Sequence, residues 1–139
     1  MYKIAIVGAG PAGYTIAQEL VKTGKCQIDI FDQEDAIGGA IHTGIPEFRM
    51  PKAFLQKAYD GLVKAGVTFH FNTKIDHEAF DKIRKDYDRV VVAIGAQVEN
   101  TFGFETGKGL YAGLTLLYDL NMLHKQDEFA KYKHAIVWG

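Results

Sequence analysis

An α/β fold built on a doubly wound, mostly parallel sheet is the architecture this sequence predicts. Three observations point to it. Short apolar runs alternate along the chain with amphipathic stretches of helical period. A glycine turn, Gly8-Ala9-Gly10-Pro11-Ala12-Gly13, sits between the first apolar run and the first amphipathic stretch. Val90-Val91-Val92-Ala93-Ile94 is apolar throughout, as in a parallel strand covered on both faces.

Lys3–Val7 reads as the first strand. Gly8 permits the sharp turn off it, Gly10 leaves the backbone open to close approach, and Gly13 lets the following helix lie near the strand. Pro11 suits the first turn of that helix, where its missing N–H costs little. The helix is predicted over Ala12–Lys22, with Ile16, Ala17, Leu20 and Val21 on one face and Gly24 as its stop. A second strand, Gln27–Phe31, closes on Asp32, about 20 residues beyond Gly13, and this order of elements is the fingerprint of a dinucleotide site. The free N–H groups at the start of the helix suit an anionic pyrophosphate. Asp32 is placed to accept hydrogen bonds from ribose hydroxyls, and its charge disfavours a 2′-phosphate.

Gln33–Met50 then breaks the alternation. It holds Gly38-Gly39, Gly44 and Pro46, shows no clear period, and leaves the carboxyl end of the second strand beside the cofactor crevice. Loops of this length in a small domain are usually functional or disordered. Ile37, Ile41, Ile45 and Phe48 are too apolar for a solvated excursion, which favours a functional role. A helix is expected from Pro51, with Phe54, Leu55, Ala58 and Leu62 inward and Gly66 as its stop. Val67–Phe71 reads as a third strand. Asp76 is expected to cap a helix carrying Phe80, Ile83 and Tyr87 inward. Arg89–Ile94 is the fourth strand, about Gly113 to His124 a further helix, and Ala135–Trp138 a fifth strand.

Composition narrows the function classes. With 139 residues, 47% of them hydrophobic, the chain suffices for one domain with a core. A net charge of −1, with charges interspersed, argues against nucleic acid or an anionic membrane as partner. Cys26, the only cysteine, excludes an internal disulfide and an all-cysteine cluster, and fits a reducing, cytoplasmic compartment. No leader peptide and no membrane span are expected. His70, His77, His124 and His134 are scattered without metal-ligand spacing, so no metal site is expected. No catalytic triad is visible either.

Residues 3–32 resemble the FAD-binding opening of flavoprotein reductases that carry two dinucleotide domains. The run Ile37-Gly38-Gly39-Ala40-Ile41-His42-Thr43-Gly44-Ile45-Pro46-Glu47-Phe48-Arg49-Met50-Pro51-Lys52 narrows the likeness. It is similar to the same region of the glutamate synthase small subunit and of the reductase half of dihydropyrimidine dehydrogenase, with adrenodoxin reductase a more distant relative. Tyr87–Ala96 and Gly109–Asn121 extend the resemblance over nearly the whole chain. The likeness implies FAD as cofactor, with its adenosine half on Gly8, Gly10, Pro11, Ala12, Gly13 and Asp32. Gly38, Gly39, Ile41, His42 and Gly44 would approach the ribityl–flavin half. Lys74 and Ile75 would lie near adenine, and Ile94 and Gly95 would close the pyrophosphate side.

It also implies a domain division. Residues 1–112 would be the FAD-binding part, and 113–139 a connecting helix and first strand leading to a nicotinamide (NAD(P)H) domain not encoded here. The chain then reads as part of an oxidoreductase passing hydride from NAD(P)H through flavin to an acceptor that the sequence does not identify, and a homodimer remains open. Where relatives carry Leu-Arg-Tyr, this chain has Ile41-His42-Thr43, so His42 either replaces the Arg in part or is a solvated histidine. Relatives more often carry Glu at the position of Asp32. The alternative reading, a non-catalytic module holding NAD or ADP, stays open on that ground.

Overall fold

The computed structural model describes all 139 residues, Met1 to Gly139. Four strands form one parallel sheet: β1 (Tyr2–Val7), β2 (Cys26–Phe31), β3 (Thr68–His70) and β4 (Arg89–Val92). Their order is β3-β2-β1-β4. The chain runs outward from β1 to β3 and then crosses to the other side of β1, so the winding reverses beside β1.

Helices cover both faces. On one, α1 (Pro11–Lys22) and α3 (Ala53–Lys64) bury Ala17, Leu55 and Leu62 against Ile4, Ile6, Ile28 and Ile30. On the other, α4 (His77–Asp86) sets Ile83 against Ala5 and Val7, with Phe31, Ile75 and Tyr87 packed around them. The alternation of β1 explains the division: Ile4 and Ile6 point one way, Ala5 and Val7 the other. The Asp76 carboxylate accepts the Ala79 N–H at 2.9 Å, so the expected cap of α4 is present.

Several expectations change. The fifth strand, Ala135–Trp138, does not form: the segment is without regular structure, and Ile136 and Val137 are exposed. Its β-propensity finds no neighbour to pair with, and propensity without pairing does not make a strand. The third and fourth strands are shorter than Val67–Phe71 and Arg89–Ile94, which leaves Ile94 and Gly95 in the loop beyond β4. β4 is an edge strand: Val91 packs against one core and Val90 against the other, but Val92 and Ile94 at its end are exposed. Within the long segment a five-residue helix, α2 (Ala40–Gly44), forms; Ile37 is buried, whereas Phe48 is 86% exposed. Phe54 is on the rim of α3 rather than inward. The later helix ends earlier, as α5 (Gly113–Asn121), and a short α6 (Gln126–Phe129) follows it.

A partly buried polar pair links β2 to the edge strand β3. The Asp29 carboxylate lies 2.9 Å from His70 Nε2, and the His70 ring stacks on Phe31 with centroids 4.5 Å apart. Nothing in the sequence pattern announces this pair, because it joins two strands 41 positions apart.

Candidate dinucleotide site

The glycine turn lies at the carboxyl ends of β1, β2 and β4, where open parallel sheets take their ligands. Gly8 has φ +109°, and a Cβ there would fall on the Ala93 carbonyl. A Cβ on Gly13 would fall on the Gly8 carbonyl oxygen and meet Ile6 Cγ2 at 3.3 Å. Both glycines are therefore demanded by the protein's own packing. Gly10 differs. Its φ is −70°, and the nearest atom to a Cβ there is Gly39 Cα at 3.8 Å. The fold itself would admit a methyl group at Gly10 without a clash.

The start of α1 is equally open. No side chain caps it, no acid lies in its first turn, and Pro11 occupies the first helical position. The first N–H groups of a helix have no partners within it, and they carry the positive end of the macrodipole. Gly39 (φ +50°) lies across from this start, so close that a Cβ on it would meet Gly10 Cα at 2.9 Å. Gly38 N–H donates to the Ala9 carbonyl at 2.9 Å, which ties the two glycine turns together.

Asp32 anchors this corner. Its Oδ2 accepts the Ala9 N–H at 2.6 Å and its Oδ1 accepts the Glu34 N–H at 2.9 Å. A carboxylate offers about four lone-pair positions, so two hydrogen bonds leave capacity for a ribose diol. The backbone of Asp32 is also fixed, donating to His70 O and accepting from Thr73 N–H. Lys74, just beyond, is exposed. Ile75 is half-buried in the α4-side core. Ile94 and Gly95 (φ +69°) follow β4 beside the turn, with Ile94 exposed.

His42 is not a freely solvated histidine. It sits on α2, with Nε2 3.6 Å from Asp35 Oδ1 and a side chain 24% exposed. Lys52 Nζ donates to the Ile45 carbonyl at 2.6 Å and holds the exit of α2.

A cleft of about 440 Å³ lies between α2, which follows Gly39, residues 96–99 and α5. Ile41, Thr43 and Gly44 form one wall, and Leu114, Thr115 and Tyr118 another. Two contacts dock α5 onto the long segment: the Tyr118 hydroxyl donates to Glu34 Oε2 at 3.2 Å, and the Asn121 amide donates to the Thr43 carbonyl at 2.8 Å. Burial, and then the Glu34 charge beside it, raise the Tyr118 phenol above its ordinary pKa. Glu99 accepts from the Leu114 and Thr115 N–H groups and from the Thr115 hydroxyl. Burial pulls its carboxyl upward, but those hydrogen bonds outweigh that and hold it below the usual range.

Of the residues named from sequence, Gly8, Gly10, Pro11, Ala12, Gly13, Asp32, Gly38 and Gly39 come together at one corner. Ile41 and Gly44 line the cleft, His42 lies on α2 without lining it, Ile94 and Gly95 follow β4 beside the turn, and Lys74 and Ile75 lie beyond β3. Glu34, Glu99, Tyr118 and Asn121 were not legible as parts of the site. One signal existed for Glu99: the residue before α5 is Ala112, a poor helix cap, so an acceptor from elsewhere was needed.

The chain is similar to several known proteins. Residues 6–53 match the model of the NAD(P)-binding Rossmann-like domain. The chain is 42% identical over 95 residues to the glutamate synthase [NADPH] small chain of Mycobacterium tuberculosis, a match covering 67% of this chain and 19% of that protein. It is 34% identical over 125 residues to the NADP(+)-dependent formate dehydrogenase subunit beta of Moorella thermoacetica, covering 86% of this chain and 18% of the relative. The chain thus spans less than a fifth of the length of these curated relatives. Among solved structures, Mycobacterium tuberculosis FprA in complex with NADPH superimposes with a TM-score of 0.74 at 21% identity, over 85% of this chain and 28% of that one. That likeness shows the fold. The likeness to the glutamate synthase small chain read from the glycine turn and the Ile37–Lys52 run is borne out. No helix is long and apolar enough to cross a membrane.

Proposed function

Starting from the NAD(P)-binding Rossmann-like domain that residues 6–53 carry, we propose that this chain is the FAD-binding portion of an NAD(P)H-dependent oxidoreductase. The observation that carries the reading is Gly10: a glycine at a permissive φ, with unfilled space where a side chain would go, directly at the uncapped start of α1. Open space alone does not mark a ligand, since Gly44 and Gly61 have it too; at Gly10 it lies directly at the free N–H groups of a helix start. A pyrophosphate fits both the space and the unpaired N–H groups. Asp32 would hold the adenosine ribose.

The cleft beyond Gly39 supports FAD over a single nucleotide, because it offers an apolar-walled space for a second ring system. The chemistry such a group supplies when bound is acceptance of hydride from a reduced nicotinamide and passage of the electrons onward. The protein's own part is to bind and orient. Gly8 and Gly13 set the turn, Asp32 fixes the sugar, and Gly38–Gly39 carries the backbone past the pyrophosphate. α5, held by Tyr118 and Asn121, walls the ring side. The names of the relatives, which print NADPH or NADP(+), support a nicotinamide as electron source in the longer protein. We place this chemistry in the cytoplasm, where an unpaired Cys26 is stable.

A second reading, an NAD- or ADP-holding module, is favoured by the short acid Asp32. Titration separates the two. Purified chain is expected to quench FAD fluorescence and shift its visible spectrum, and Gly10→Ala is expected to weaken FAD binding by about tenfold or more, roughly 1.4 kcal/mol, with an unchanged melting temperature. Binding of NAD or ADP but not FAD would establish the second reading. Equal FAD affinity in Gly10→Ala would remove the pyrophosphate from that position.

A further inference from the structure

The cleft between α2 and α5 has a single charged group in its lining, Glu99, and we infer that Glu99 sets the electron affinity of a flavin ring held there. This rests on the FAD reading above. Glu99 is a tuning residue in this account, acting by its field.

Three observations carry it. First, the charge is fixed in place. Glu99 reaches 15 positions forward to cap α5, accepting the Leu114 and Thr115 N–H groups, and its Oε2 accepts the Thr115 hydroxyl at 2.6 Å. Ala112, at the cap position, supplies no acceptor of its own. Second, the carboxylate stays ionised, since those donors favour its charged form. Third, nothing cationic lines the cleft to offset it. The remaining walls are Ile41, Ile45, Leu114, small residues, Gln97, Thr43, Thr115 and Tyr118. Beyond the lining, Glu34, bonded to Tyr118, and Asp35 add negative charge, while Lys52, bonded to the Ile45 carbonyl, and His42, beside Asp35, lie on the α2 side.

Reducing an oxidised flavin at pH 7 adds two electrons and one proton drawn from water, which leaves the reduced ring with one negative charge. A fixed anion beside the ring opposes that added charge, and water at the exposed carboxylate screens part of the effect. The positive start of α5 cancels part of the carboxylate's field but not all of it, a helix terminus carrying about half a unit charge. Glu99 therefore makes the bound flavin harder to reduce.

The test is the midpoint potential at pH 7 of the FAD-loaded 139-residue chain, titrated with dithionite as reductant, for the wild type, Glu99→Gln and Glu99→Asp. Gln keeps an acceptor for the α5 N–H groups and removes the charge; Asp keeps the charge. Glu99→Gln is expected to favour the reduced form by about tenfold, a shift of about +30 mV for a two-electron couple. Glu99→Asp is expected to stay near the wild-type value. If FAD binds all three but Glu99→Gln does not move the potential, or moves it downward, the inference is overturned while the FAD reading stands. A shift common to both variants, or loss of FAD binding in Glu99→Gln alone, would show a structural clasp and overturn it likewise. Failure of the wild type to bind FAD would remove both.

Discussion

Three glycines in one turn do three different things, and the structure separates them by what a methyl group would strike. At Gly13 it strikes the Gly8 carbonyl, so Gly13→Ala is expected to lower stability by about 1–3 kcal/mol, as overpacking does, measured by urea unfolding. At Gly10 it strikes nothing. Gly10→Ala is therefore expected to melt like the wild type and to fail in binding. The same stability loss in both variants would mean that Gly10 is a packing glycine after all. Asp32 already has a structural duty at this scale, its Oδ2 accepting the Ala9 N–H, and the proposed ribose contact would be a second. The glycines and Asp32 were legible in the sequence because their chemistry is local: turn, helix start and strand end follow one another within a short stretch. Glu99, Tyr118 and the Asp29–His70 pair were not, because each depends on a partner tens of positions away or on a helix whose docking no local pattern encodes.

The elements that shape the site lean on one another through a few side chains. Leu55 of α3 is 4% exposed and packs under the second glycine turn; a Cβ on Gly38 would meet Leu55 Cδ1 at 2.6 Å. Leu55→Ala is expected to cost about 2–5 kcal/mol through the cavity it leaves. It is also expected to raise amide exchange at 38–42 above that in β1. Unchanged exchange there would show that α3 does not support the turn. At this scale the sequence was read correctly where period and punctuation agreed, as in α1, α3 and α4. It was misread at Ala135–Trp138, where β-branched residues have no strand beside them, and at the end of the Val90–Ile94 run, where Val92 and Ile94 are exposed at the edge of the sheet. Phe48 misled for a related reason: apolar character marks a surface that something can cover, and within this chain nothing covers it.

Across the whole molecule the sheet joins two cores, and the α4-side core contains ionisable groups. Burial first, and then the Asp29 carboxylate facing it, push the Tyr87 phenol up to about 12. The sign follows from linkage. Between the ordinary value of about 10 and the raised one, the unfolded chain releases the proton that the folded chain keeps, so stability is full below pH 10 and is lost as pH rises toward 12. Tyr87→Phe is expected to flatten part of that alkaline loss in urea unfolding followed against pH, while Tyr118, also raised, leaves a remainder. An identical alkaline slope in the variant would show that Tyr87 is not the group responsible. The fold brings the start of α1, Asp32 and the Gly38–Gly39 turn together at one corner. The most direct measurement of that is the structure of this chain crystallised with FAD. The expected result is pyrophosphate oxygens within hydrogen-bond distance of the backbone N–H groups at the start of α1, a ribose on the Asp32 carboxylate, and the ring in the cleft beside Ile41 and Glu99. FAD seated on any other surface, with that corner holding only solvent, would contradict the account.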